Sequence, residues 1–172
     1  MLDWMKTRRS IRKYQDRQIE QEKLDAILKG GLMAPSSRGR KPWELIVVDD
    51  KEKIQKLSYC RGNTSGFMSG APLAIVVAAN GEIGDIWVED ASIAASYMQL
   101  VIHSLGLGSC WIHVRERFHN DTQTAEDYVR EILNIPAHIK VLCILSIGYP
   151  AEIKPAHEEQ DLLYDKIHYN IF

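Results

Sequence analysis

The chain has 172 residues, 45% hydrophobic and 26% charged, with a formal net charge of −2. This is enough chain to enclose one core, and the composition is that of a globular protein, which sets aside disordered and fibrous classes. No apolar run approaches the ~20 residues of a membrane span, and Lys6, Arg8 and Arg9 interrupt the N-terminus too soon for a secretory leader.

Leu2 to about Lys13 reads as helix, with Leu2 and Met5 as apolar anchors. From Ile19 to Met33, residues Leu24, Ile27, Leu28, Gly31 and Leu32 share one helical face, and Pro35 stops it. Trp43 to Val48 reads as a strand and Lys51 to Leu57 as a short helix. Residues 61–70 are small, polar and glycine-bearing, and read as loop. Leu73 to Ala79 is an apolar strand covered on both faces. The longest helix is expected from about Ile86 to Leu105, ended by Gly106-Leu-Gly108, and Ser109 to Val114 forms the next strand. Thr124-Ala-Glu-Asp127 opens a helix in capping-box style that breaks at Pro136, and His138 to Gly148 is the last strand. This alternation predicts one domain, 1–172, with a sheet between helical layers. The tail from about 150 turns acidic, then closes with Ile167-His-Tyr-Asn-Ile-Phe172, too few apolar residues for a core of their own.

The small net charge hides an asymmetry. Residues 1–41 carry eleven Lys/Arg against five Asp/Glu, whereas residues 42–172 carry ten against eighteen. The positive charge gathers in two phrases, Thr7-Arg8-Arg9-Ser10-Ile11-Arg12-Lys13-Tyr14 and Ala34-Pro35-Ser36-Ser37-Arg38-Gly39-Arg40-Lys41-Pro42-Trp43. Each sets fixed cations beside small hydroxyls, which suits a phosphate dianion. The competing readings are a solvated helix end for the first phrase and a polar turn for the second. A nucleic-acid-binding module is a further alternative, which the acidic remainder opposes.

Other signals are weaker. Gly106-x-Gly108 precedes a strand where a dinucleotide fingerprint precedes a helix, and no Gly-Lys-Ser/Thr phosphate loop occurs. Cys60, Cys110 and Cys143 form no disulfide framework or Cys-x-x-Cys pair, which points to a reducing cytoplasm. Cys110 reads as a small buried apolar residue. The six histidines show no zinc spacing, so His103, His119, His138, His157 and His168 read as structural or surface residues and no metal is expected.

Five phrases taken in order resemble the nitroreductase family of FMN-dependent oxidoreductases. They are Arg-Arg-Ser-x-Arg at 8–12, Ala-Pro-Ser-Ser at 34–37 with Pro42-Trp43, Ala71-Pro72 before a strand, the helix from Asp90 into Leu105-Gly-Leu-Gly-Ser-Cys-Trp111, and Ile147-Gly-Tyr-Pro-Ala-Glu152. The resemblance implies an α+β fold of three layers, with a mixed, largely antiparallel sheet between helices. It also implies a homodimer with two shared flavin sites, and a C-terminal tail packed on the partner subunit. NADH or NADPH would donate hydride to FMN, and a nitroaromatic, quinone or similar small molecule would then accept it in a ping-pong cycle. No separate catalytic side chain is implied, because the cofactor carries the chemistry.

Carried over by residue, Arg8, Arg9, Ser10 and Arg12 would hold the FMN phosphate and ribityl chain, joined by Lys154, with His157 nearby. Pro35, Ser36 and Ser37 would line the flavin from the partner subunit. Backbone around Trp111, Ile112 and His113 would face the isoalloxazine ring. The sequence departs from the family at Gly39 and Lys41, where Asn and Gln are common, and at His113, where Gly is common. It also lacks the Asn/Lys pair that some relatives carry after Asn63; Arg38, Arg40 or Lys41 would be the replacements. Reductive dehalogenation or flavin fragmentation on the same fold stays open as an alternative chemistry.

Overall fold

The computed structural model describes residues 2–172. In chain order its elements are α1 (Leu2–Thr7), α2 (Gln21–Leu32), β1 (Trp43–Val48), α3 (Lys51–Leu57), β2 (Cys60–Asn63), β3 (Leu73–Asn80), α4 (Trp87–Ser104), β4 (Gly108–His113), α5 (Ala125–Leu133) and β5 (Ile139–Gly148). Four strands form one sheet in the order β1-β3-β5-β4, every neighbouring pair antiparallel. Among the described residues the one parallel pairing is a single bridge from Ser10 to Ser109 at the β4 edge.

β3 and β5 are central and apolar almost throughout because both of their faces are covered. Ile75 and Val77 point toward α2 and α4, where Ile27, Ala91, Ala95, Met98 and Ile102 are buried. Ala74, Val76 and Ala78 point the other way, against Ile54, Leu57, Ala125 and Val129 of α3 and α5. Removing each such aliphatic side chain from water contributes about 1.5–3 kcal/mol, which fixes strand register, since a one-residue slip would exchange the two faces. The register shifts once, between Val77 and Ala78, and Leu142 is the extra residue opposite.

Helix ends follow local chemistry. Asp50 caps α3 by accepting from the amides of Glu52 and Lys53, and Thr124 caps α5 by accepting from Asp127. The Thr124 hydroxyl donates to the Asp127 carboxylate at 2.7 Å, so the link expected of a capping box is side chain to side chain. Asn134 ends α5 in the left-handed region. All three cysteines are buried thiols, each pushed above its ordinary range by burial. Among the described residues, no helix is long and apolar enough to cross a membrane.

Two sequence expectations give way. The helix expected to about Lys13 stops at Thr7, and residues 8–14 run extended as an arm along the sheet end. Ile11 donates to the Ser109 carbonyl at 3.0 Å, and Gln15 to Tyr149 at 2.9 Å, so pairing with strand backbone replaces helical hydrogen bonds. The stretch 61–70 is not all loop: it holds most of β2 and a 3₁₀ turn, Gly66–Gly70.

A polar knot ties α2 to the end of β5. Tyr149 Oη donates to Glu20 at 2.6 Å and receives Lys23 Nζ at 2.7 Å, while the Arg17 guanidinium lies 3.8 Å from the Tyr149 ring centroid. The Tyr149 hydrogen bond, then backbone and Arg17 donors, lower the Glu20 carboxyl to about 2. A folded value below the ordinary one means that the unfolded chain binds the extra proton. Stability from this group is therefore complete above about pH 4.5 and lost as pH falls toward 2. Urea unfolding across that window is expected to show a shallower acid-side loss in Glu20→Gln than in the unmodified protein.

Candidate active site

The arm, the C-terminal end of α4, the start of β4 and the turn after β5 enclose a cavity of about 210 Å³. Arg8, Arg9 and Lys154 bring three cations to it, and Thr7, Ser109, His103 and Glu152 complete its polar lining. Two glycines make the arm's position possible. Gly108 and Gly148 face each other across β4 and β5. A Cβ on Gly108 would lie 2.7 Å from Ile11 Cβ, and one on Gly148 would lie 2.8 Å from the Tyr14 ring. The arm thus rests on bare backbone.

Hydrogen bonds then lock it. Tyr14 Oη donates to the Ile11 carbonyl at 2.6 Å and lies 2.8 Å from Ser146 Oγ; burial raises its pKa, so it remains a phenol. Glu152 Oε1 accepts from the Arg12 amide at 2.5 Å and the Lys13 amide at 3.3 Å, with Lys154 Nζ at 3.8 Å. The Arg12 amide is the main reason that its carboxyl titrates below the ordinary range. Arg9 donates to the Pro155 carbonyl.

The structure gathers some of the expected site residues and separates others. Arg8, Arg9 and Lys154 meet, whereas Ser10, next along the arm, pairs with Ser109 and does not line the cavity. Arg12 turns away, its guanidinium 5.6 Å from the Phe67 ring centroid. His157 lies in a groove beside α1, its amide bonded to the Lys6 carbonyl at 2.9 Å, outside the cation cavity. Pro35, Ser36, Ser37, Arg38, Gly39 and Lys41 form a separate loop. They take no part in lining the cation cavity. Buried Asp90 of α4 holds this loop by accepting from the Ser37 amide at 2.8 Å, and Lys41 N donates to Ser36 Oγ at 2.9 Å. Arg38, Gly39 and Lys41 all have positive φ, of 52°, 67° and 48°. Only Gly39 adopts this without cost, so the loop needs its anchor. Asp90→Ala is expected to lose about 1.5–3 kcal/mol and open residues 36–41 to protease, with Asp90→Asn losing less because an acceptor oxygen remains.

β4 is an edge strand beyond the arm's last contact. Since the Ser109 carbonyl points outward to Ile11, the two-residue period turns the backbone N–H and C=O of Trp111 and His113 the same way. Ile112 is 3% exposed with its side chain in the core, so it offers no side chain to a ligand. Trp111 Nε1 donates to His113 Nδ1 at 3.4 Å. Burial, then Arg117, Arg61 and Arg115, keep the His113 ring below its ordinary pKa and neutral at pH 7. His103 and Glu152 join the cavity although sequence patterning gave neither a role; a lone His and a lone Glu acquire meaning only from what the fold sets beside them.

Known proteins share this sequence pattern and fold. The sequence profile of the nitroreductase family matches residues 5–59 and 55–149. A solved FMN-dependent nitroreductase from Clostridium difficile R20291 is 56% identical, with a TM-score of 0.98 over 100% of both chains. A protein of Archaeoglobus fulgidus, provisionally named an NADH dehydrogenase/NAD(P)H nitroreductase, is 40% identical over 94% of this chain and 92% of its own. An iodotyrosine deiodinase of Thermotoga neapolitana is 24% identical over 100% of this chain and 98% of its own. With the profile spanning most of the sequence and the fold superposing along its whole length, the chain belongs to the nitroreductase family.

Proposed function

We propose that this protein is an FMN-dependent oxidoreductase that takes hydride from NADH or NADPH and delivers reducing equivalents to a nitroaromatic, quinone or similar small acceptor. The observation that carries the reading is the cavity uniting Arg8, Arg9 and Lys154 beside an open stretch of β4 backbone. Its donors fit a phosphate monoester: two guanidinium forks, an ammonium and two hydroxyls, in a volume suited to the phosphate end of the cofactor. Bonds from such cations contribute about 1.5–3 kcal/mol each before the costs of binding.

Bound FMN supplies the hydride and electron chemistry. The chain's own residues position it. Arg8, Arg9, Ser10 and Lys154 hold the phosphate and the polyol chain, and Arg12 acts from farther off. The outward N–H and C=O groups of Trp111 and His113 would be available to the polar atoms of the ring, with neutral His113 adding no charge. Donor and acceptor would occupy one site in turn, so the proposed cycle is ping-pong.

A second copy of the chain completes the site. The tail exposes Ile153, Leu163, Tyr169, Ile171 and Phe172, and the loop of Pro35, Ser36, Ser37, Arg38, Gly39 and Lys41 stands apart from the arm of its own chain. In a homodimer the tail packs on the partner, and that loop reaches the partner's flavin. Sedimentation of the flavin-loaded protein tests this; a monomer that keeps its FMN contradicts it.

Flavin absorption bands in the purified protein, followed by parallel double-reciprocal plots for NADH or NADPH against a nitroaromatic or quinone, are the expected results. Intersecting lines would reject the ping-pong cycle. The relationship to a deiodinase favours reductive dehalogenation as the second reading, which halide release from an iodinated phenol, without turnover of the other acceptors, would establish.

A further inference from the structure

His103, near the end of α4, lines the cation cavity but has no part in the reading above. Its Nε2 lies 2.8 Å from Thr7 Oγ1. The Thr7 hydroxyl has one proton, and the Asp3 carbonyl at 2.9 Å only accepts, so the proton goes there. His103 Nε2–H is then the donor to Thr7, and Nδ1 is the nitrogen left to take a second proton.

Opposing influences act on that proton. Burial, then Arg8, push the ring's pKa down. The last turn of α4 favours a cation through its free carbonyl ends. The charged groups on the elements packed about it are Asp3 and Lys6 on α1, Arg8 and Arg9 on the arm, Glu152 and Lys154 after β5, and Lys23 of α2, whose Nζ is 3.3 Å from the Leu105 carbonyl. A dianion entering the cavity would offset two of the local positive charges and so counter the repulsion from Arg8.

We propose that His103 is a binding residue for a phosphate monoester dianion, taking one proton from solvent as the dianion enters and returning it as the dianion leaves. The inference rests on FMN as cofactor and adds a ligand from the last turn of α4. It makes retention of the cofactor depend on pH through a protein group, separately from the second ionisation of the phosphate itself.

The test compares full-length protein with His103→Gln, which keeps a polar amide but has no titrating group. Kd for FMN is read from flavin fluorescence on diluting loaded protein. Between about pH 8 and about pH 6.5 the unmodified protein is expected to gain about fivefold in affinity over the variant. Riboflavin, which lacks the phosphate, should show no such difference, and inorganic phosphate should compete with the same pH dependence. Calorimetry of FMN binding near pH 7.5, in buffers of unlike ionisation enthalpy, should record proton uptake by the unmodified protein and needs no variant. FMN binding without proton uptake, or with the same pH dependence in both proteins, overturns the role of His103. Failure of the unmodified protein to bind FMN at any pH overturns the cofactor assignment instead.

Discussion

Arg8→Ala is expected to weaken FMN binding about tenfold to a hundredfold, the loss of one or two bonds to a charged ligand, while the melting temperature changes little. Among the described residues the Arg8 guanidinium has no hydrogen bond or ion pair, so truncation leaves no buried group unsatisfied. Arg9 differs, because its bond to the Pro155 carbonyl ties the turn to the arm, and Arg9→Ala should cost stability as well as flavin. Arg12 differs again. Its side chain lies over Phe67, outside the cavity, so Arg12→Ala should retain more FMN than Arg8→Ala. Flavin absorbance per chain after extensive dialysis, with a thermal scan of each variant, ranks the three. Greater flavin loss in Arg12→Ala than in Arg8→Ala would reverse the assignment.

Gly108→Ala should be nearly as damaging without removing any cation. The new methyl would lie 2.7, 2.8 and 2.9 Å from Ile11 Cβ, Cγ1 and Cγ2. Overpacking of this kind costs about 1–3 kcal/mol, and the structure yields where it is weakest. β4 is held by β5 along its length, whereas at Ile11 a single backbone bond joins the arm to β4, so the arm lifts there. Arg8 and Arg9 would leave with it. The expected signature is FMN loss with early proteolytic cutting near residues 8–12, from a core that still melts cooperatively. Ile11→Ala in the same chain removes two of the three close contacts and should restore part of the binding; no restoration would mean that the sheet has deformed.

Elements whose boundaries depend on local chemistry were legible. Trp43–Val48 and Lys51–Leu57 fall where strand composition and the Asp50 cap place them, and β3 declares its double burial by an unbroken apolar run. The arm was not, because Thr7 to Lys13 suits a helix by composition and only the free edge of β4, distant in sequence, draws it out straight. The site divides in the same way. Arg8, Arg9 and Lys154 are conspicuous as cations in recognisable phrases. His103 and Glu152 carry no signal of spacing, and their place depends on where α4 ends and how the chain turns after Gly148. The separation of Pro35–Lys41 from the arm is likewise a tertiary fact, invisible in a pattern that sets the two phrases only some two dozen residues apart.

The sealed thiols bear on how such a catalyst survives its own work. A reduced flavin that meets oxygen generates peroxide, and peroxide attacks sulfur in its thiolate form. Cys60, Cys110 and Cys143 are enclosed and held protonated, so peroxide formed at such a cofactor would find no anionic sulfur to consume. During aerobic NADH oxidation, all three sulfurs should stay countable by thiol titration after unfolding, and steady sulfinic acid formation would show the enclosure to be leaky.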